Sequence, residues 1–508
     1  MTGPLEPDGS TTDPPEGTGS RHPVLVSGRV RRTPVDQVRH RWVAVLSAAV
    51  IVVVVAVIAA VFPPPSAAPV PGRFDGVAVP PSGAFSTSAF CAAGSGTAAA
   101  STIFLTNSTH RTVTGVMTSV APATSSGAVP TVRRTVAIPG MGSAAVDPAT
   151  GLPAGDNASS FVFAGGGVVA SEVVSGPNGW STAPCASETS SQWSFAGGST
   201  TSGNTLTLSL FNPSATEAVV NVSFLTANGG VAPQAYQGLM VPPGQLVEEN
   251  VGDYVQNESA IGTSVASQSG TVVATEFEQW SSGATAGLSL QLGAPALSST
   301  WRFAQTTSLQ GSTVDFTLAN PGATPADATV SVGLASGTVV PRQVVVPASS
   351  SAVFVASGSS GLPKQVPFSV TVTSDAPIVV GRSVQAPAGA STPAWGSASG
   401  TSAPAGRWLV PAPGITGAPG TANATVTSLA VANPGPSTAR VTVSVLGSAR
   451  TVATLAVGAG RLVVLGPSLV GGLSTLVVSA DLPVNVEEDS GPTGAPGVVS
   501  SSGFPFVG

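Results

Sequence analysis

Apolar and polar residues alternate in short runs over most of the chain beyond residue 84, the period of a strand with one buried face. Four runs share one pattern: STIFLTNST, TLSLFNPSA, DFTLANPGA and SLAVANPGP, which place Asn107, Asn212, Asn320 and Asn433 at separations of 105, 108 and 113 residues. Two and four positions before each asparagine stand apolar residues: Leu105 and Ile103, Leu210 and Leu208, Leu318 and Phe316, Val431 and Leu429. The asparagine turns the chain, because its short amide bonds to nearby backbone. The proline that follows it in three copies presets its own φ.

The pattern continues in each copy. A second alternating strand follows (VTGVM, VNVSF, VSVGL, VTVSV), then an apolar stretch around Pro or Gly, then two strands joined by a polar turn. An aromatic marker opens three copies at Trp193, Trp301 and Trp408, with Phe90 as the nearest candidate in the first. About seven short strands per period of roughly 100 residues predict an all-β chain of tandem immunoglobulin-like or fibronectin-like β-sandwich modules, with the tryptophans in the cores. A β-propeller with two blades per period is the alternative. The expected modules are 85–187, 188–295, 296–402 and 403–490, followed by a flexible tail, 491–508.

The N-terminal segment reads differently. Residues 43–62, VAVLSAAVIVVVVAVIAAVF, carry no charge and match the roughly 30 Å of a bilayer core as a helix. Six arginines between Arg21 and Arg41 precede them, so the positive-inside bias keeps residues 1–42, a disordered basic segment, in the cytoplasm. A cleaved signal peptide is the weaker alternative, because this apolar run exceeds the usual h-region. The Pro-, Ala- and Gly-rich residues 63–84 read as a spacer. The expected placement is a single-pass membrane protein that meets the lipid bilayer through residues 43–62 and carries an extracytoplasmic C-terminal region.

Composition narrows the chemistry. Charged residues make up 8% of the chain against roughly 25% in ordinary soluble proteins. Beyond residue 62 the twelve basic residues are scattered among nineteen acidic ones, which excludes the basic stripe of a nucleic-acid binder. Cys91 and Cys185 bracket the first module in an exported region, which favours a disulfide staple; no CxxC spacing points to redox chemistry.

Of three histidines only His110 follows the apolar segment, and no GxSxG or HExxH occurs. No catalytic, cofactor or metal residues are therefore assigned. Asn107 lies in a glycosylation sequon, but its turn role is primary. The remaining carboxylate groups are Glu248 with Glu249, Glu276 with Glu278, and Glu487, Glu488 with Asp489. A polar residue recurs after the apolar pair of the late strand as Glu172, Glu276, Arg382 and Glu487, and its change of sign predicts an outward-facing, solvated edge.

With the anchor, the proline-rich spacer and the four modules together, the chain resembles uncharacterised actinobacterial membrane-anchored extracytoplasmic proteins that carry a domain of unknown function. That resemblance implies a place in the cell envelope and transfers no site residues. The expected role is a noncatalytic structural or protein-interaction ectodomain with an envelope protein as partner. A cell-wall glycan-binding protein is the alternative and a carboxylate-dependent glycan hydrolase a weaker third. Specific function is expected where the copies differ, in the first module or between Trp408 and Asn433.

Overall fold

The computed structural model describes residues 76–93, 99–282, 285–307, 313–356, 362, 366–385, 395–411, 424–470, 475–492 and 499–506, all within one compact unit. The predicted membrane segment 43–62, the basic segment before it and residues 63–75 of the spacer lie outside these. Among the described residues no helix is long and apolar enough to cross a membrane. The described residues are all-β, with several sheets and no closed barrel among them.

The first repeat sets the plan. Its strands are β1 (Thr87–Cys91), β2 (Ala100–Asn107), β3 (Val113–Val120), β4 (Thr131–Ile138), β5 (Gly142–Val146), β6 (Ala158–Phe163), β7 (Val168–Gly176) and β8 (Gly179–Pro184). They pair in two sheets of order β1-β6-β3-β4 and β5-β2-β7-β8. The same order recurs in every repeat. In the third and fourth repeats single long strands, Pro367–Gln385 and Leu476–Pro492, serve as both the sixth and the seventh. Each repeat thus has one strand more than the alternation indicated. Each sheet mixes early and late strands, so a repeat does not divide into two propeller blades.

Both sheets of a repeat contribute to one apolar cluster, as period-two alternation requires. Leu105, Leu210, Leu318 and Val431 are fully buried in these clusters. The four asparagines are buried too, and each closes the same clamp. Nδ2 of Asn107, Asn212, Asn320 and Asn433 donates to the carbonyl four residues on, at 2.7–2.8 Å, and to a carbonyl at the end of the fourth strand, as in Asn212 to Val241. Oδ1 accepts the N–H two residues on. An asparagine does this because it carries a donor and an acceptor on one short arm. The Asn107 amide is therefore committed to the fold.

Trp193, Trp301 and Trp408 are buried, and Nε1 of each donates to the carbonyl of Val272, Ile378 or Val484 at the start of the seventh strand. The first repeat departs from this, and not at Phe90. Strand pairing sets Ala89 at the tryptophan position, opposite Phe161, where the second to fourth repeats have Val265, Val372 and Val478. The volume lost from the first strand returns from the sixth, so the core stays filled. Phe90 points away and packs against the second repeat's cluster.

The C-terminus also differs from the expected tail. Val499–Ser502 pairs with Leu476–Pro492 as the eighth strand of the fourth repeat, and Phe504–Pro505 pairs with Ala405–Val410. Phe504 is buried, and Val79, inside the expected spacer, bridges to Phe506. Their apolar side chains fill a gap between the first and fourth repeats, which alternation along either segment does not reveal.

Candidate functional site

Contacts between repeats close on themselves. Val174 meets Phe277 and Leu290 of the second repeat, Leu225 packs in the cluster of Ala319, Ala304 meets Ala430 and Leu462, and Val173 and Trp180 meet Val499 of the fourth. The eighth strands follow the same circuit: Gly179–Pro184 against Thr285–Leu292, that strand against Trp395–Ser399, that against Val499–Ser502, and that back against the first. Between second and third, the hydroxyls of Ser289 and Ser397 bond directly, and Ser399 Oγ donates to Gln291 Oε1 at 3.0 Å.

A cavity of about 420 Å³ lies where the four eighth strands converge. Its wall is built from matched positions: Thr182–Pro184 with Ala186–Ser190, Leu290–Ala296, Ser397–Ser402 and Ser500–Phe504, together with Trp193, Trp301, Gly76 and Val77. The match is set by register, since Pro184, Leu292, Ser399 and Ser502 pair with Ser171, Thr275, Gly381 and Glu487 at one level of the seventh strands. Hydroxyls, backbone and the Gln291 amide supply its polarity. Among the described lining residues Glu188, exposed at the edge, is the sole ionisable one.

One step past that level lies the disulfide. Cys91 and Cys185 are bonded, joining the end of β1 to the residue after β8. The matching pairs elsewhere are Phe195 with Gly293, Phe303 with Gly400 and Val410 with Gly503. A Cβ on Gly293 or Gly400 would fall 2.7 or 2.9 Å from the Cζ of the facing ring. The disulfide thus replaces a ring packed on glycine beside the cavity. The Glu172 carboxylate lies within 4.8 Å of both sulfurs, but the bond removes the thiolates that a metal would bind.

The recurring late-strand residues are not a solvated edge: Glu172, Glu276, Arg382 and Glu487 are all about 97–98% buried. Their alignment also changes. Glu172, Glu276 and Arg382 face Ile103, Leu208 and Phe316, and the residue that faces the matching Leu429 is Glu488. Glu487 turns to the third repeat, where its Oε1 lies 2.6 Å from Nη2 of Arg382 and its Oε2 accepts the Gln305 N–H at 3.0 Å. Arg382 also donates to the Gln305 carbonyl and stacks over Phe303. Gln305 Nε2 donates to Asp489, which also accepts from Ser500.

Desolvation dominates these carboxyls. Burial raises Glu172 to about 7, opposed by the Ser101 hydroxyl at 2.6 Å. It raises Glu276 to about 7, and it holds Glu278 well above the usual range with help from the Glu276 charge. Burial and then the Asp489 charge do the same to Glu488. Glu248, on the fifth strand of the second repeat, rises to about 9 through burial and its bond to Asp156 of the first. His110 is exposed in its loop. Among the described lining residues there is none of the raised carboxyls, which are buried within and between repeats.

The eighth-strand hydroxyls, the glycine partners and Gln305 escaped the sequence reading. The aligned small residues Cys185, Gly293, Gly400 and Gly503 were the available signal. The segment between Trp408 and Asn433 is described only as far as residue 411 and from 424.

The family described as "Family of unknown function (DUF5719)" matches residues 166–403, from the seventh strand of the first repeat through the third. No curated protein matches the chain. Solved structures that it resembles include Thermotoga maritima 1070, 19% identical over 20% of this chain and 92% of that one, with a TM-score of 0.19. Another is the Anabaena sensory rhodopsin transducer, 22% identical over 16% of this chain and 91% of that one, TM-score 0.15. A tetra-tandem repeat in the extending region of a large adhesion protein is 14% identical over 78% of this chain and 93% of that one, TM-score 0.12.

Proposed function

We propose that this chain is a noncatalytic binding protein of the cell envelope, held to a membrane by residues 43–62, whose cavity takes a neutral, hydroxyl-bearing ligand of the cell-wall glycan class. The carrying observation is the convergence of four matched eighth strands on one hydroxyl-rich cavity. Its volume falls within the 300–1,000 Å³ usual for ligand pockets. Ser and Thr hydroxyls donate and accept, as a sugar hydroxyl demands, and the walls of Trp193 and Trp301 offer apolar surface. Among the described lining residues a charged ligand would find no counter-charge beyond Glu188.

In this reading the repeats are tandem β-sandwich modules, immunoglobulin-like in their two-sheet layering. They differ from that fold in strand order: the first strand pairs with the sixth and the seventh with the second, whereas in the immunoglobulin order the first lies beside the second and the seventh beside the sixth, and an eighth strand is added. The closed circuit of contacts is the scaffold that holds the cavity open.

The test is titration of the full-length protein in detergent with soluble, neutral cell-wall glycan fragments, followed by tryptophan fluorescence. A saturable change is expected, abolished by Ser187→Trp, which fills the cavity from its rim. Folded protein that shows no saturable response, or an unchanged response in Ser187→Trp, would leave the purely structural role standing.

A further inference from the structure

Glu276 and Glu278 lie two apart on the seventh strand of the second repeat, on one face, each 2% exposed. Glu276 Oε1 and Glu278 Oε2 have no hydrogen-bond partner. Two more sealed oxygens stand beside them without partners, Thr263 Oγ1 and Asn204 Oδ1. Thr263, 1% exposed on the sixth strand, directs its hydroxyl toward the Glu276 carboxyl without an ordinary hydrogen bond. Asn204 is fixed at the same place, its Nδ2 donating to Glu278 Oε1 at 3.2 Å and to Ser199 Oγ at 3.0 Å.

Among the described residues no Lys, Arg or His acts on either carboxyl. The third repeat answers the same position differently, with the Arg382 guanidinium in place of Glu276 and its charge met by Glu487. The second repeat sets two acids among neutral groups, the Thr263 hydroxyl, the Asn204 amide and the Ser199 N–H, where the third supplies a cation.

We propose that the second repeat holds a buried site for one hard divalent cation, Ca²⁺ ahead of Mg²⁺, formed by Glu276, Glu278, Thr263 and Asn204. Two carboxylates match a double charge, and an all-oxygen donor set disfavours thiol-seeking metals. Ca²⁺ accepts an irregular cage of protein oxygens, whereas Mg²⁺ keeps several waters, for which a sealed site has little room. Ionising both carboxyls in that interior without a cation costs several kcal/mol per ion.

The test is calorimetric titration of chelator-stripped full-length protein with CaCl₂ near neutral pH, in two buffers of different ionisation enthalpy. One site per chain is expected, with a dissociation constant within about 10⁻⁶–10⁻³ M, weaker binding of MgCl₂, and net proton release, because the ion displaces protons from the carboxyls. Glu278→Gln should weaken binding at least about tenfold. Glu276→Arg, which copies the third repeat, should fold and bind no Ca²⁺.

The proposal is overturned by native protein that binds no Ca²⁺ or by a site that survives both substitutions. Binding of Ca²⁺ ahead of Mg²⁺ is read on the native chain, so the result stands even if a variant fails to fold. It does not depend on the glycan reading of the cavity.

Discussion

In the third repeat Arg382 occupies a buried position on the seventh strand and reaches across to Glu487 of the fourth repeat, 2.6 Å away. In the second repeat the same position holds Glu276, with Glu278 beside it and no basic side chain among the described residues. Strand order, asparagine clamp and tryptophan anchor are common to both. The sheet therefore places a side chain at this level without dictating its charge. What a buried charge requires is compensation, and the two repeats obtain it from different sources: one from a neighbouring repeat, the other from protons or an ion.

Removing the neighbour's charge should give the largest effect. Arg382→Met leaves Glu487 buried without its cation, and breaking a buried pair in this way costs about 3–5 kcal/mol. Urea denaturation measures it. The double variant Arg382→Met with Glu487→Leu should recover most of the loss; a single variant within about 1 kcal/mol of the parent would refute the compensation argument.

Next in size is the pH response of chelator-treated protein. Glu172 and Glu276 titrate near 7 in the folded chain and near 4.5 when unfolded. A group whose folded value is raised contributes its full stability below the unfolded value and loses it as pH rises through the folded one. Stability should therefore fall between about pH 4.5 and 7, by roughly 3 kcal/mol per group. Melting at a series of pH values reads this, and Glu276→Gln should flatten part of the slope. A profile that rises with pH over this window would contradict the assignment.

The smallest effect tests what the two repeats share. Asn212→Ala and Asn320→Ala each strip the same buried carbonyls of their donor, and each should cost about 1–3 kcal/mol. Denaturation midpoints that fall together would establish the clamp as common scaffold. A neutral Asn320→Ala would show that the third repeat is held by its ion pair instead.

These residues also show where sequence reading succeeds. Alternation around Leu210 and Leu318 identified strands, because a face is either buried or not every second residue. Asn212 and Asn320 were readable as turns, though their hold on the fourth strand was not: the carbonyls concerned lie 29 and 26 residues away. Glu276 and Arg382 were read as solvated because a charged side chain ordinarily seeks water. Local pattern cannot record that the other sheet of the repeat, or a neighbouring repeat, closes over it. The same limit hid Phe504, Val79 and the cavity itself, whose lining of Ser, Thr, Gly and Ala looks in sequence like ordinary turn composition.

The sequence by itself determined the repeat, the strands, the tryptophan anchors in three copies and the clustering of apolar side chains within each. Those features rest on local periodicity and on contacts inside one repeat. The tertiary structure decided which charges are buried, that Cys91 and Cys185 stand where the second and third repeats pack a ring on glycine, and that four eighth strands enclose one space. Each of these depends on how the two sheets of a repeat, or two repeats, meet. Such contacts join residues distant along the chain, 94 positions apart for the disulfide and 105 for Arg382 with Glu487, and their cost or gain is set by the partner rather than by the neighbours along the chain.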